Sequence, residues 1–253
     1  AVRREWLNGL AEDIVALRSD GREVILVSSG AIAVGRGHLG MRRRILKLEE
    51  KQAAAAVGQI RLAYVYQEML RAHGLTVAQL LLTIGDTEQR RRYLNARNTM
   101  ETLLRFGAVP MVNENDTVAT EEIRFGDNDR LAARVAEMAS ADLLVLLSDI
   151  DGLYTADPNI DPAAERIETV RHITPEIEKM AGTSRSDIGS GGMATKLQAA
   201  KIAVNAGCHV VIAAGNSQNS LASLSSGAPC TWFVAPRSPM TARKSWIANN
   251  LKP

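Results

Sequence analysis

The segment DNDRLAARVAEMASADLLVLL, residues 127–147, contains the pattern that decides the fold. Asp127 to Ala139 predicts a helix, because its apolar residues recur at helical spacing and Asp is favoured at helix N-termini. Leu143 to Leu147 is a short, unbroken apolar run, which is typical of a strand buried in a parallel sheet. A helix followed directly by such a strand is the repeating unit of α/β folds.

The same alternation of helix and strand extends along the chain in both directions. Helices are predicted over Trp6 to Leu17, Leu48 to His73, Arg90 to Phe106 and Met193 to Ala206, and strands over 23–27, 75–83, 108–112, 210–213 and, more weakly, 231–234. Five or more such units predict a mainly parallel central sheet with helices on both faces, a three-layer α/β sandwich. In such folds ligands bind beyond the carboxyl ends of the strands, so the loops after Val27, Val112 and Leu147 are the first places to search.

Composition limits the class of protein. The chain has 253 residues, 46% of them hydrophobic and 23% charged, which predicts a globular protein with a substantial core. A net charge of +2 is too small for a basic nucleic-acid surface to dominate the protein. No apolar stretch has the roughly 20 residues that span a bilayer, and Arg3, Arg4 and Glu5 stand where a signal peptide would be apolar, so we expect a cytoplasmic protein.

Cysteine and histidine do not have the spacing of a metal centre. Cys208 and Cys230 are too few and too far apart in sequence for a disulfide framework or a zinc cluster, and we expect both to be reduced. The four histidines are scattered along the chain. The sequence therefore predicts no metal site made of protein ligands alone.

A first polar cluster follows one of the predicted buried strands. Asn113, Glu114, Asn115 and Asp116 come directly after Val112, and Asn128 and Asp129 follow a short distance along the chain. Burying amide and carboxylate groups is unfavourable unless a polar ligand or a dense hydrogen-bond network satisfies them. A capped turn before a helix that begins with Asp explains the same residues, so composition alone leaves both interpretations open.

A second candidate site is the glycine-rich turn from Ser190 to Lys196, which runs straight into a helix. Glycines let backbone N–H groups approach phosphate oxygens, the helix start adds partial positive charge, and Lys196 adds a full one. The spacing is not that of the P-loop, G-x-x-x-x-G-K-[ST]. A loop with a surface lysine is the competing interpretation.

Two further patterns are weaker. Residues 35–40 match G-x-G-x-x-G, but they do not open a helix directly after a strand, which argues against a dinucleotide site. Residues 148–158 leave a buried strand with several acids and a glycine, yet they miss the calcium-loop spacing, and a loop around a nucleotide explains them better.

Taken together, six blocks in order along the chain resemble the amino-acid kinase family: residues 27–33, 52–59, 113–116, 126–129, 152–155 and 191–196. The resemblance runs over nearly the whole chain from Glu23. It implies the family's three-layer fold and transfer of the ATP γ-phosphoryl group to the side-chain carboxylate of L-glutamate, the first step of proline synthesis, with Mg2+ accompanying ATP.

The resemblance also implies roles for individual residues. Ser29, Asp116 and Asn128 match glutamate-binding positions, and Lys196 and Asp129 match catalytic positions, with Asp129 holding the lysine in place. The matched ATP-binding positions are Ser148, Asp149, Ser190, Gly191, Gly192, Met193, Ala194, Thr195 and Lys196. Such a set suits phosphoryl transfer, which depends on aligning two anions and neutralising charge on the group that moves.

Both ends depart from the family pattern. Family members begin with a strand that carries a lysine, whereas residue 1 already lies in or just before the following helix, so we expect the first strand to be missing and turnover to be poor. We expect residues 1–253 to be the catalytic domain, without the small C-terminal PUA domain of many relatives. The resemblance further implies a homo-oligomer, a dimer or a tetramer, with proline as a feedback inhibitor.

Two alternatives stay open from the sequence. A related kinase acting on N-acetylglutamate, aspartate or a nucleotide would share the fold and the ATP loop. A non-catalytic module that senses glutamate or proline would keep the pocket without transferring phosphate, and the expected absence of the first lysine gives this second alternative some weight.

Overall fold

The computed structural model describes residues 3–41, 45–118, 127–182 and 192–236. The helices of this part are α1 (Arg4–Ser19), α2 (Ala31–His38), α3 (Leu48–Arg71), α4 (Ile84–Glu88), α5 (Arg90–Arg105), α6 (Asp127–Ala139), α7 (Pro175–Met180), α8 (Met193–Asn205) and α9 (Ser220–Ser225). Its strands are β1 (Leu26–Val27), β2 (Val77–Leu82), β3 (Val109–Glu114), β4 (Leu143–Ser148), β5 (Thr169–Val170), β6 (His209–Ala214) and β7 (Cys230–Phe233). The chain divides into two compact units, residues 1–124 and 125–253.

The first unit contains a three-stranded parallel sheet in the order β1-β3-β2. β3 is central and almost wholly buried, with Val109 and Val112 fully inaccessible. Each strand follows a helix, α1, α3 or α5, so the unit repeats the helix-then-strand pattern that the sequence predicts.

Two helices of this unit pack backbone against backbone. A Cβ added to Gly35 of α2 would lie 1.8 Å from the carbonyl oxygen of Ala54 in α3, and one added to Gly58 of α3 would lie 1.7 Å from the carbonyl oxygen of Ala31. Only glycine permits so close an approach. The G-x-G-x-x-G pattern therefore begins inside α2, and Gly35 is used for helix packing.

The second unit contains a four-stranded sheet in the order β4-β6-β7-β5. β4 runs parallel to β6, β5 runs parallel to β7, and β7 runs antiparallel to β6. The buried core of this sheet is formed by Val210, Val211, Ile212 and Phe233. Helices α6 and α8 pack against each other and against the strands that follow them.

The predicted α/β class with mainly parallel strands is confirmed. The predicted bounds of α6 are confirmed at both ends. β1 is shorter than predicted: within residues 23–27 only Leu26 and Val27 pair with β3, at the edge of the three-stranded sheet. That the two units form one catalytic domain stays a prediction.

Candidate active site

Chain direction brings polar residues of the second unit to one edge of its sheet. α6 runs into β4 and α8 runs into β6, so each helix lies antiparallel to the strand that follows it. A helix of 13 residues and a strand of 6 residues are both about 20 Å long. The helix N-termini, with Asp129 and Lys196, therefore return to the carboxyl edge where Ser148 ends β4.

Lys196 and Asp129 form an ion pair at this edge. Nζ of Lys196 donates to Oδ2 of Asp129 at 3.1 Å, and the two side chains are 9% and 18% exposed. The hydroxyl of Thr195 lies 3.0 Å from the same oxygen and 2.8 Å from the carbonyl oxygen of Gly192, so it can donate to either. The carboxylate thus orients the ammonium group, as the resemblance implies for this pair.

The start of α8 has the features of an anion site. Gly192 precedes the helix in an extended conformation, and no side chain of the described residues caps it. The first N–H groups of a helix carry partial positive charge and bind phosphate where no side chain satisfies them. Met193 and Ala194 form this first turn and are half-buried, while Ser190 and Gly191 lie outside the described residues.

Ser148 and Asp149 lie at the carboxyl end of β4. Oγ of Ser148 donates to Oδ1 of Asp149 at 3.1 Å, and the Asp149 side chain is exposed. The backbone N–H of Gly215, the residue after β6, donates to the Ser148 carbonyl oxygen. A Cβ on Gly215 would lie 2.7 Å from Cβ of Leu147, so glycine is required where the two strands end. Sequence reasoning did not identify Gly215.

In the first unit, Ser29 lies where β1 ends and α2 begins. Gly30, the residue before the helix, has φ of +91°, a conformation that favours glycine. Ser29 is exposed beside this turn. Since β1 and β3 are parallel, Ser29 and the residues after β3 belong to the same edge of one sheet.

Asp116 is the buried carboxylate of this edge. It is 6% exposed, and its Oδ2 accepts a hydrogen bond from Nε2 of Gln59 at 3.3 Å. Burial raises the pKa of Asp116, and the Gln59 hydrogen bond opposes that rise in part. Nε2 of Gln59 also donates to the carbonyl oxygen of Glu114 at 2.7 Å, which fixes the amide.

Gln59 received no role from the sequence, although residues 52–59 carried part of the resemblance. The available signal was a polar amide next to Gly58 on the Ala-rich face of a long helix. Asn128 was predicted correctly to stand at the start of a helix; it is the second residue of α6 and is half-buried. The structure therefore brings Ser29 and Asp116 to the sheet edge of the first unit, and Asn128, Asp129, Ser148, Asp149 and Lys196 to that of the second.

Among the described residues, no group of three or more His, Cys, Asp or Glu side chains is placed to hold a metal ion. None of the helices in the same part of the chain is long and apolar enough to cross a membrane.

Comparison with known proteins identifies relatives of the whole chain. The model of the amino acid kinase family matches residues 2–214. A glutamate 5-kinase of Rhodopseudomonas palustris strain BisB5 is 59% identical over 252 residues, which cover 100% of this chain and 67% of that protein. A glutamate 5-kinase of Paramagnetospirillum magneticum is 62% identical over 252 residues, which cover 100% of this chain and 68% of that protein.

Among solved structures, carbamate kinase from Giardia lamblia bound to AMP-PNP superposes with a TM-score of 0.63 at 14% identity, covering 92% of this chain and 91% of that one. At this level of identity the similarity concerns the fold alone. It agrees with the fold class that the sequence predicts.

Proposed function

The chain belongs to the amino acid kinase family, and from this premise we propose that it transfers the γ-phosphoryl group of ATP to the side-chain carboxylate of L-glutamate. The assignment of glutamate as the substrate rests on one observation: the chain is 59 to 62% identical over its full length to proteins named glutamate 5-kinase. The products are γ-glutamyl phosphate and ADP, as expected for the first step of proline synthesis.

The reaction needs positioning and charge neutralisation more than covalent help. A carboxylate oxygen of glutamate attacks the γ-phosphorus, and the bond from that phosphorus to the bridging oxygen of ADP breaks. We assign Lys196 to stabilise the charge on the phosphoryl group, with Asp129 orienting its ammonium group at 3.1 Å. The N–H groups at the start of α8 hold phosphate oxygens, and Ser148 and Asp149 contact the nucleotide.

Glutamate recognition is assigned to Ser29, Asp116 and Asn128. The Asp116 carboxylate pairs with the substrate ammonium, which favours its ionised form and so counteracts the raised pKa that burial gives it. Asn128 offers amide N–H donors to a substrate carboxylate, and Ser29 offers a hydroxyl beside the start of α2.

Mg2+ enters as the counter-ion of ATP. In nucleotide sites this ion binds mainly to phosphate oxygens and water, with at most one or two carboxylates, so it does not require a cluster of protein ligands. The exposed Asp149 carboxylate follows β4, the neighbour of the strand into which α8 runs, and it is the residue that would hold the ion through its water shell. When bound, the ion neutralises charge on the β- and γ-phosphates.

Three expectations from the sequence complete the proposal: a homo-oligomer, a cytoplasmic location and inhibition by proline. Light scattering of the purified chain tests the first, fractionation of cells that produce the chain tests the second, and titration of the kinase assay with proline tests the third.

The decisive experiment is an ATP-dependent hydroxamate assay with L-glutamate, N-acetyl-L-glutamate and L-aspartate as acceptors. The chain is assayed with each acceptor in turn, and a reaction without acceptor measures the background hydrolysis of ATP. We expect product with L-glutamate only. Product with N-acetyl-L-glutamate alone would overturn the proposed substrate. Calorimetric binding of glutamate without turnover of any acceptor would favour the sensing module.

A further inference from the structure

A buried amide outside the predicted site residues contacts the Asp116 carboxylate. Gln59 is 5% exposed, and its Nε2 lies 2.7 Å from the Glu114 carbonyl oxygen and 3.3 Å from Oδ2 of Asp116. We propose that Gln59 is a positioning residue for glutamate binding, which holds the Asp116 carboxylate in the orientation that meets the substrate ammonium. This inference rests on the proposed function.

The place of Gln59 is fixed by helix packing. Its neighbour Gly58 lies against the backbone of α2, where a Cβ would be 1.7 Å from the Ala31 carbonyl oxygen. Ala54, Ala55 and Leu62 of the same helix are buried. A side chain on so closely packed an element keeps its position better than one on a loop.

The two hydrogen bonds of the Gln59 amide have different roles. An amide nitrogen carries two N–H donors at a fixed angle. The shorter bond, to Glu114 at the end of β3, anchors the amide, and the second N–H then points at Asp116, two residues further along the chain. Because a donor stabilises the ionised carboxylate, Gln59 also favours the charged form of Asp116, consistent with its effect on the Asp116 pKa.

The role predicts a selective kinetic effect. Asp116 is assigned to glutamate and not to ATP, so loss of its orientation weakens glutamate binding and leaves ATP binding in place. A general loosening of the core would instead change both substrates together.

The test compares Gln59→Met, which keeps the volume and removes the donors, with Gln59→Glu, which keeps the shape and places a second carboxylate beside Asp116. Gln67→Met is the matched control, since Gln67 lies on the same helix and is exposed. KM for glutamate, KM for ATP, kcat and Tm are measured for each. We expect both Gln59 variants to raise KM for glutamate at least tenfold, with KM for ATP within twofold and the control unchanged.

A double variant, Gln59→Met with Asp116→Asn, separates positioning from a general role. If Gln59 acts through Asp116, the double variant binds glutamate no more weakly than Asp116→Asn alone. Additive losses, an unchanged KM for glutamate in a folded Gln59 variant, or equal rises for both substrates with a lowered Tm would each overturn the inference.

Calorimetric titration with glutamate distinguishes failure of this inference from failure of the proposed function. If the parent chain binds glutamate but does not phosphorylate it, the kinase assignment fails. The role of Gln59 is then tested by comparing the glutamate dissociation constants of the parent chain and the Gln59 variants. If the parent chain binds no glutamate, both are overturned.

Discussion

The ammonium nitrogen of Lys196 lies 3.1 Å from Oδ2 of Asp129, at the start of two helices that run into neighbouring strands of one sheet. Both groups are largely excluded from water, so neither is readily solvated if its partner is removed. A pair of this kind contributes little net stability compared with apolar residues, but breaking it is severe. The pair lies at the helix start where we propose that phosphate binds, which gives the Lys196 charge a role other than stability.

Lys196→Ala should lower kcat by roughly a hundredfold, since removing one well-placed donor to a developing charge typically costs about 3 kcal/mol in the transition state. Lys201→Ala is the control on the same helix, because Lys201 pairs with Glu178 at the surface. Steady-state kinetics with glutamate and ATP measure both. Equal losses in the two variants would contradict the role of Lys196.

Asp129→Asn should lower the free energy of unfolding by about 3 kcal/mol, because it leaves the Lys196 charge buried beside a neutral amide. Adding Lys196→Met to this variant should restore part of the stability by removing the charge. Urea denaturation of Asp129→Asn, of Lys196→Met and of the double variant gives the coupling free energy between the two side chains. A double variant less stable than Asp129→Asn would show that the pair is not coupled as the distance indicates.

Asp116→Asn should abolish most glutamate binding and yet stabilise the protein at neutral pH. Burial raises the pKa of Asp116 in the folded chain, so the folded state holds this proton more tightly than the unfolded state. The contribution of this tighter proton binding to the free energy of unfolding is fully present below about pH 4, the ordinary pKa of an aspartate. It is lost as the pH rises through the folded pKa. The Tm difference, variant minus parent, should therefore increase from pH 4 to pH 7; a constant or falling difference would argue against it.

Gly35→Ala should lower the free energy of unfolding of the first unit by about 1 to 3 kcal/mol, the usual effect of forcing extra atoms into a packed interior. The added Cβ would meet the Ala54 backbone, which cannot rotate away as a side chain can. Gly37→Ala on the same helix meets nothing within 4 Å and should be neutral or slightly stabilising, because Ala is the better helix former. Thermal unfolding of the two variants decides the comparison.

Cys208 should resist alkylation in the native protein at pH 8. Burial raises its pKa to about 12, so only about one thiol in ten thousand is ionised, and the thiolate is the reactive form. Iodoacetamide treatment followed by mass spectrometry should find Cys208 unmodified until urea unfolds the chain. Labelling at equal rates with and without urea would contradict its burial.

Particular residues show how far the sequence could be read. The apolar run from Leu143 to Leu147 and the Asp that opens the preceding helix were sufficient for β4 and α6, because both signals are local. The glycine-rich turn before Lys196 pointed to phosphate for the same reason. The local signal at Gln59, a polar amide in an Ala-rich helix, did not indicate its partners Glu114 and Asp116, which are far away in sequence. Gly215 carried no local signal, since the residue it packs against, Leu147, is equally remote.

The chain's own order of residues determined the alternation of helix and strand, the family resemblance and the chemical types gathered at the strand ends, since hydrophobic period, helix capping and residue chemistry are properties of short segments. Tertiary structure alone decided how closely Asp129 approaches Lys196, which amide holds Asp116 and why Gly35 and Gly58 must lack a side chain. These depend on distances between segments that are remote in sequence, and only packing sets such distances.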